Sequence, residues 1–243
     1  MDVKRSVFHW SGGKDSSIAL QRILQNPEYS VDCLLTTVNH AHDRITMHGV
    51  RRNLLEAQVA KMDIPLEILE LPEQPDMDEY NRLLGDKMNE LKERGITHAI
   101  YGDIFLEDLK SYRENLMQQF GFETVFPIWN EDTTKLIHRF IGDGFKAITV
   151  CVKDDPLGKD FTGRVIDTSF LNDLPDQVDP CGENGEFHTF VYAGPIFSSP
   201  IPFKKGDIVY REYDSPSQSD GDVHQPENSK MGFLFCDLLP KTV

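Results

Sequence analysis

Short apolar runs alternate with longer amphipathic ones over the first 153 residues. Ser6–Trp10, Val31–Asn39, Leu66–Leu71, Ala99–Ile104, Thr124–Ile128 and Ala147–Val152 are brief and rich in β-branched or aromatic residues, which predicts buried strands. The segments between them repeat at helical spacing. Asp15–Leu24 carries Leu20, Ile23 and Leu24 on one face, Val50–Met62 repeats Val50, Leu54 and Ala57, and Asp78–Arg94 repeats Tyr80, Leu84, Met88 and Leu91. Leu106–Phe120 and Thr133–Ile141 follow, each stopped by a glycine, Gly121 and Gly142. Strict alternation of strand and helix predicts an α/β fold of Rossmann-like type. A parallel sheet is wrapped by helices, and ligands bind beyond the carboxyl ends of its strands.

The rhythm changes after Lys153. Arg164–Leu171 reads as a short helix, Pro175–Gly185 is rich in turn residues, and Glu186–Tyr192, Ile208–Tyr213 and Gly232–Leu238 read as strands. This pattern predicts two parts: residues 1–153, a nucleotide-sized α/β domain, and residues 154–243, a smaller α+β lobe. Val223 is the one strongly apolar residue between Asp214 and Lys230, so 214–230 is expected to be a flexible, solvated loop.

Charge narrows the function. The 243 residues hold 25 basic and 40 acidic side chains, net -15, and nucleic-acid affinity rests mostly on Lys and Arg neutralising phosphates. No nucleic-acid partner is expected. The acid is concentrated: residues 1–153 carry 18 basic and 24 acidic side chains, residues 154–230 carry 6 and 15 in half the length. No apolar run approaches the ~20 residues that span a bilayer, and no apolar stretch follows the basic residues of Met1–Trp10, so neither membrane span nor signal peptide is expected. Cys33, Cys151, Cys181 and Cys236 lie far apart, as free thiols do in a reducing cytoplasm.

Ser11-Gly12-Gly13-Lys14-Asp15-Ser16 closes the first strand and opens the first helix. Two glycines let the backbone turn sharply and approach an anion, while free N–H groups and the helix dipole favour phosphate oxygens. Ser11 and Ser16 add hydroxyls and Lys14 a point charge. A Walker A loop would need G-x-x-x-x-G-K-[ST], and Asp15 stands where its Mg²⁺-binding hydroxyl would be. The duller reading is a glycine-containing strand-to-helix turn with a serine cap.

The hexapeptide resembles the loop of the N-type ATP pyrophosphatases, or PP-loop enzymes. Met47-His48-Gly49-Val50, Tyr101-Gly102-Asp103-Ile104, Phe126-Pro127-Ile128-Trp129, Leu157-Gly158-Lys159-Asp160 and above all Asp179-Pro180-Cys181-Gly182-Glu183-Asn184-Gly185-Glu186-Phe187-His188-Thr189-Phe190 look like the diphthine–ammonia ligase family within that superfamily. The resemblance runs from about Val3 to Phe197, and the -FHTFVY- version looks like its bacterial branch.

That resemblance implies an ATP-dependent carbon–nitrogen ligase that cleaves ATP to AMP and pyrophosphate, adenylates a carboxylate and lets ammonia displace AMP. ATP and Mg²⁺ are the implied cofactors. Ser11, Gly12, Gly13, Lys14, Asp15 and Ser16 would hold the phosphates, with Asp15 reaching the Mg²⁺ and Asp103 assisting. Thr37, Val38, Met47, His48 and Gly49 would line the adenosine, with Gly102 opposite. Arg113, Glu183, Asn184, Gly185, Glu186 and His188 would face the acceptor, and Lys14, Asp15, Asp103 and Glu186 would be catalytic. The implied acceptor is diphthine on elongation factor 2 in archaeal and eukaryotic members and another carboxylate in bacterial ones; a homodimer is a further expectation.

Plainer readings stay open. Glu183-Asn184-Gly185-Glu186 reads equally as a tight turn into a strand, Asp103 as a helix N-cap, Arg113 as a solvated ion-pair partner, and His188 as solvent-facing. His40, His42 and Asp43 read as a solvated loop rather than a metal site, and Cys181 as an unreactive thiol. A tRNA-modifying PP-loop enzyme or a non-catalytic ATP sensor are the alternatives; the acidity and lack of C-x-x-C weigh against the first, the complete Lys14-Asp15-Ser16 set against the second.

Overall fold

The computed structural model describes residues 3–214 and 230–241. Its first sheet contains β1 (Lys4–His9), β2 (Tyr29–Asn39), β3 (Arg44–Ile45), β4 (Leu66–Leu71), β5 (His98–Ile100) and β6 (Glu123–Val125). The strands β4-β2-β1-β5-β6 lie side by side and pair in parallel, and the short β3 joins β2 antiparallel beyond the end of β1. Successive helices are α1 (Lys14–Leu24), α2 (Arg52–Val59), α3 (Met77–Glu93), α4 (Glu107–Phe120) and α5 (Thr133–Gly142). The chain leaves β1 towards one edge of the sheet and β5 towards the other. Their carboxyl ends therefore open the crevice at which α/β sheets bind ligands.

Strand alternation divides the core. Phe8 of β1 packs with Ile18, Leu20 and Ile23 of α1 and Leu54 and Leu55 of α2, while its neighbour Val7 faces Leu84, Met88 and Leu91 of α3 and Leu116 and Met117 of α4. The Phe8 side runs on without a break into the second part of the chain, through Phe140, Ile148, Phe170, Phe190 and Leu238. Burying each such side chain is worth about 1.5–3 kcal/mol.

The second sheet is fully antiparallel, in the order β8 (Phe187–Ala193), β7 (Lys146–Lys153), β10 (Lys230–Pro240), β9 (Phe203–Asp214). This corrects one expectation. The run Ala147–Val152, read as the last parallel strand of the first part, lies between β8 and β10 as β7, so the second sheet starts before residue 154. A short apolar run is compatible with either kind of sheet, and here the choice is made by β10, far along the chain. Among the described residues two helices complete this part: α6 (Asp154–Phe161), interrupted by non-helical Asp155 and Gly158, and α7 (Thr168–Asp173), capped by Asp167. The loop expected at 214–230 falls, over 215–229, outside the described residues. Among the described residues no helix is long and apolar enough to cross a membrane.

The two sheets are tied by ions as well as by core. Asp237 of β10 accepts from Arg44 Nη1 at 2.9 Å and from Arg51 Nη2 at 2.6 Å. Burial acts against the Asp237 carboxylate, yet these two guanidinium groups hold its pKa below the ordinary value.

Candidate active site

A cavity of about 820 Å³ lies over the carboxyl ends of β1 and β5. One wall comes from the loop Ser11–Ser16, a second from Thr36, Thr37 and the Ile45–His48 segment, a third from Tyr101–Asp103 and Arg113 of α4, and the fourth from Gly182–Gly185 and Phe187–Thr189.

The loop is shaped largely from outside. Gly12 has φ +78°, a conformation that costs a side-chain-bearing residue energy, and its carbonyl accepts from Val191 N at 2.9 Å and from Gln58 Nε2 at 3.1 Å. Lys14 N–H, one of the donors a helix start leaves without an internal partner, donates to Thr189 Oγ1 at 3.0 Å. The fully buried Gln58 of α2 also accepts from Trp10 Nε1 at 2.9 Å and donates to Val191 O at 2.6 Å, so one amide joins β1, the loop and β8. Ser11 and Ser16 hydroxyls sit 3.0 Å apart, and the Ser11 hydroxyl also accepts from Gly13 N. Gly102 shows why a glycine follows β5: a Cβ there would stand 2.9–3.1 Å from Ser16 N, Ser16 Cα and Asp15 C, backbone that cannot yield.

Lys14 is buried, with Nζ 2.7 Å from Asp15 Oδ2 and 5.3 Å from the centre of the Phe187 ring. Burial disfavours its charge, but Asp15, Cys181 and Glu183 together hold its pKa above the ordinary lysine value. Burial pushes the Asp15 carboxyl up against the pull of Lys14. Asp103 pairs with Arg113 (Nε to Oδ2, 2.9 Å), and burial raises its pKa too, opposed by that guanidinium. Arg113 in turn lies over the Tyr101 ring at 4.4 Å, with His9 stacked on Tyr101 at 4.2 Å. Glu183 Oε1 accepts from Ile104 N–H at 2.8 Å, and burial with the nearby Asp15 pushes its carboxyl up to about 7. Three carboxylates thus share a half-enclosed space with one lysine and one arginine.

The fourth wall is a turn built around Asp179. Its Oδ1 accepts from Cys181 N at 2.9 Å and Glu183 N at 3.2 Å, and its Oδ2 from Thr133 Oγ1 at 2.6 Å. Where this wall meets the loop, His48 Nδ1 is 3.1 Å from Thr189 O and its ring lies 4.7 Å from that of His188. Burial lowers both imidazole pKa values, that of His48 to about 4.

Comparison with known proteins gives this arrangement a family. Residues 4–124 match the model of the diphthamide synthase N-terminal domain, and residues 132–215 match that of the diphthamide synthase C-terminal domain. The chain belongs to the diphthamide synthase family. Curated proteins named diphthine–ammonia ligase are similar to it. The Danio rerio protein is 26% identical over 56% of this chain and 59% of its own length, and the Homo sapiens protein 24% over 56% of each. The Schizosaccharomyces pombe protein is 26% identical over 40% of this chain and 16% of its own. The chain therefore spans little more than half the length of the vertebrate relatives it matches. A solved structure described as a predicted subunit of tRNA methyltransferase from Methanocaldococcus jannaschii overlaps 79% of this chain at 13% identity and a TM-score of 0.38, too loose a likeness to bear on fold or function.

In this diphthamide synthase-family chain, the cavity gathers Ser11, Lys14, Asp15, Ser16, Thr37, Met47, His48, Gly102, Asp103, Arg113, Glu183, Asn184, Gly185 and His188 from the residues singled out in the sequence. Gly12, Gly13 and Gly49 stand behind its surface. Gly13 leaves room for the His48 ring, since a Cβ would fall 2.8 Å from its Cε1, and Gly49 for the Phe235 ring, 3.1 Å away. Glu186 is displaced from the role expected of it. It is buried and does not line the cavity; its Oε1 accepts from Asp179 N at 3.1 Å and Asn184 Nδ2 at 3.2 Å, holding the turn closed. Asp103 does not cap α4, whose N-cap is Leu106, and Arg113 is a half-buried cavity residue rather than a solvated one. His188 faces the cavity and not solvent.

His40 and His42 are exposed beside Glu70 and Glu73, and the Cys181 thiol, buried against Thr133 O, is held protonated by burial. Sequence reasoning missed Gln58, Thr189, His9, Tyr80 and Tyr101. Thr189 and Tyr101 lay inside segments that carried the family resemblance; the others read as core or as helix surface.

Proposed function

We propose that the chain is an ATP-dependent amide-forming ligase that splits ATP into AMP and pyrophosphate, with ammonia as nitrogen donor. What supports this reading is that the anion-binding loop and the Gly182–Gly185 turn face each other across one cavity. In this reading the Ser11–Ser16 loop and Lys14 bind the β- and γ-phosphates and neutralise charge on the departing pyrophosphate. The adenosine lies along Thr36, Thr37, Met47 and His48, and the acceptor enters between Arg113 and Glu183. The acceptor carboxylate attacks the α-phosphorus; the bond to pyrophosphate breaks and an acyl-adenylate forms. Ammonia then attacks the acyl carbon and AMP leaves, its phosphate carrying the surplus proton of the new amide. Arg113 offsets negative charge on the adenylate.

The donor set fits a magnesium ion. Asp15 Oδ1 is buried without a hydrogen-bond partner, and Asp103 supplies a second carboxylate on the facing wall. No group of three His, Cys, Asp or Glu among the described residues could hold a metal unaided. The Asp15 and Asp103 carboxylates suit an ion which binds through one or two carboxylates plus substrate phosphates. When bound there, Mg²⁺ would screen the phosphate charge and orient it.

Diphthine is the first acceptor to test, because the curated relatives are named for it; the family resemblance places it on elongation factor 2. The four buried free thiols favour a reducing compartment, the cytoplasm. The test uses ATP labelled at the α-phosphate, ammonium and diphthine-bearing elongation factor 2 from cells lacking their own ligase. Acceptor-dependent label in AMP is expected. Label appearing in ADP alone overturns the reading.

A further inference from the structure

Among the described residues β9 is the outer strand of the second sheet and pairs with β10 on one side. From Asp207 to Tyr213 every residue is exposed, and Ile208, Val209, Tyr210 and Tyr213 are each uncovered by 44–48%. Even-numbered and odd-numbered side chains point to opposite faces, so β-branched and aromatic groups are bare on both. Proline is missing from Phe203–Tyr213, and the edge runs for twelve residues. Six of the twelve residues are charged, so the bare apolar stretch is Ile208–Tyr210 with Tyr213, and such an exposed edge accepts a further strand only where the charges of that strand complement its own.

The charge pattern identifies the strand that fits. Two copies related by a two-fold axis perpendicular to the sheet pair antiparallel, and opposite residues share a face, so the axis must pass through a residue. With the axis at Val209, Asp207 lies opposite Arg211 of the second copy, twice over, and Ile208 opposite Tyr210 of the second copy, also twice. Val209 then meets itself. Moving the axis to Ile208 sets Lys205 against Arg211 on both sides. Moving it to Tyr210 sets Ile208 against Glu212 and Asp207 against Tyr213. Among these neighbouring registers, the Val209 axis matches both charge and apolarity, and register is fixed where such patterns agree.

We infer that β9 pairs with β9 of a second copy about a two-fold axis through Val209, joining two four-stranded sheets into one continuous sheet. The inference is independent of the proposed activity. It also reaches the site, because β10 carries Phe235 against Gly49, next to His48 in the cavity wall.

Sedimentation equilibrium of the full chain, from low micromolar to tenth-millimolar, tests it. The wild type is expected at twice the 27.8 kDa chain mass. Arg211→Asp places like charges opposite each other twice and is expected to weaken the dimer by about tenfold or more. Asp207→Arg does the same with two arginines, and the double variant D207R/R211D restores the pairs and the dimer. Circular dichroism confirms that each variant is folded; the substitutions are on the surface. A wild type at single-chain mass throughout overturns the inference. A dimer indifferent to Arg211→Asp also overturns it, as does a folded double variant that stays monomeric.

Discussion

Two glycine turns face each other across the cavity and are held in opposite ways. The Ser11–Ser16 loop takes its shape from elsewhere: Gln58 of α2, and Thr189 and Val191 of β8, occupy its inward-facing groups. The Asp179–Glu186 turn closes mainly on itself, through Asp179 Oδ1 to the N–H groups of Cys181 and Glu183 and through Glu186 Oε1 to Asp179 N and Asn184 Nδ2. The outside support engages one carbonyl and one N–H of the first loop, Gly12 O and Lys14 N, and in the proposed reading its remaining polar groups are what an anion would meet. A turn that presents side chains can use its backbone for its own stability. The difference follows from what each offers a ligand.

Substitutions should separate the two. Lys14→Ala removes the charge at the mouth of the loop and should cut AMP formation by about 10²–10³, the range for losing one well-placed electrostatic contact. Acceptor binding by titration should change little. Gln58→Leu leaves the Trp10 indole N–H buried without its acceptor and removes two donors to carbonyls. Unfolding in urea should report a loss of about 2–4 kcal/mol, with weaker ATP binding as well. An unchanged ATP affinity would show that the loop supports itself and would erase the contrast. Asp179→Ala should cost about 1–3 kcal/mol and raise the KM for the acceptor, while ATP affinity stays within twofold of wild type.

The smallest effect concerns the seam between loop and β8. Burial holds the His48 imidazole pKa near 4, below its unfolded value, so the folded state favours the neutral ring. Its contribution is complete above about pH 6.5 and is lost as pH falls towards 4. Urea midpoints measured across that window should fall with pH, and His48→Gln should flatten part of the slope. His9, His98 and His188, which burial shifts in the same direction, add to the slope, while Glu183, whose carboxyl is pushed up to about 7, works against it over the same window.

Much of the first sheet was legible because its signals are local. β4 occupies Leu66–Leu71 as the pattern predicts, and α1 and α5 start within a residue of expectation. Partnership is not local, and it misled the reading of β7. The helix α6 was missed because Pro156 and Gly158 break its periodicity, and the chain does depart from helical geometry at Asp155 and Gly158. In the site, the Ser11–Ser16 loop announces itself by composition. Gln58 does not, since a glutamine on a helix reads as solvated surface until β8 is laid across it. Glu186 misled for the converse reason: it lies within a motif that resembles a binding segment, while its side chain serves the turn.

Gln58 and Thr189 also bear on how such a protein can change over generations. The family's two domain models meet between residues 124 and 132, which invites the picture of exchangeable modules. Yet the carbonyl of Gly12 and the N–H of Lys14 find their partners at residues 58, 189 and 191. A lineage that traded its second module for a foreign one would have to bring a hydroxyl and a strand to the same place, or its Ser11–Ser16 loop would lose its shape. Recombination at the module boundary is therefore restricted by contacts that cross it, and the two halves are bound to a shared inheritance.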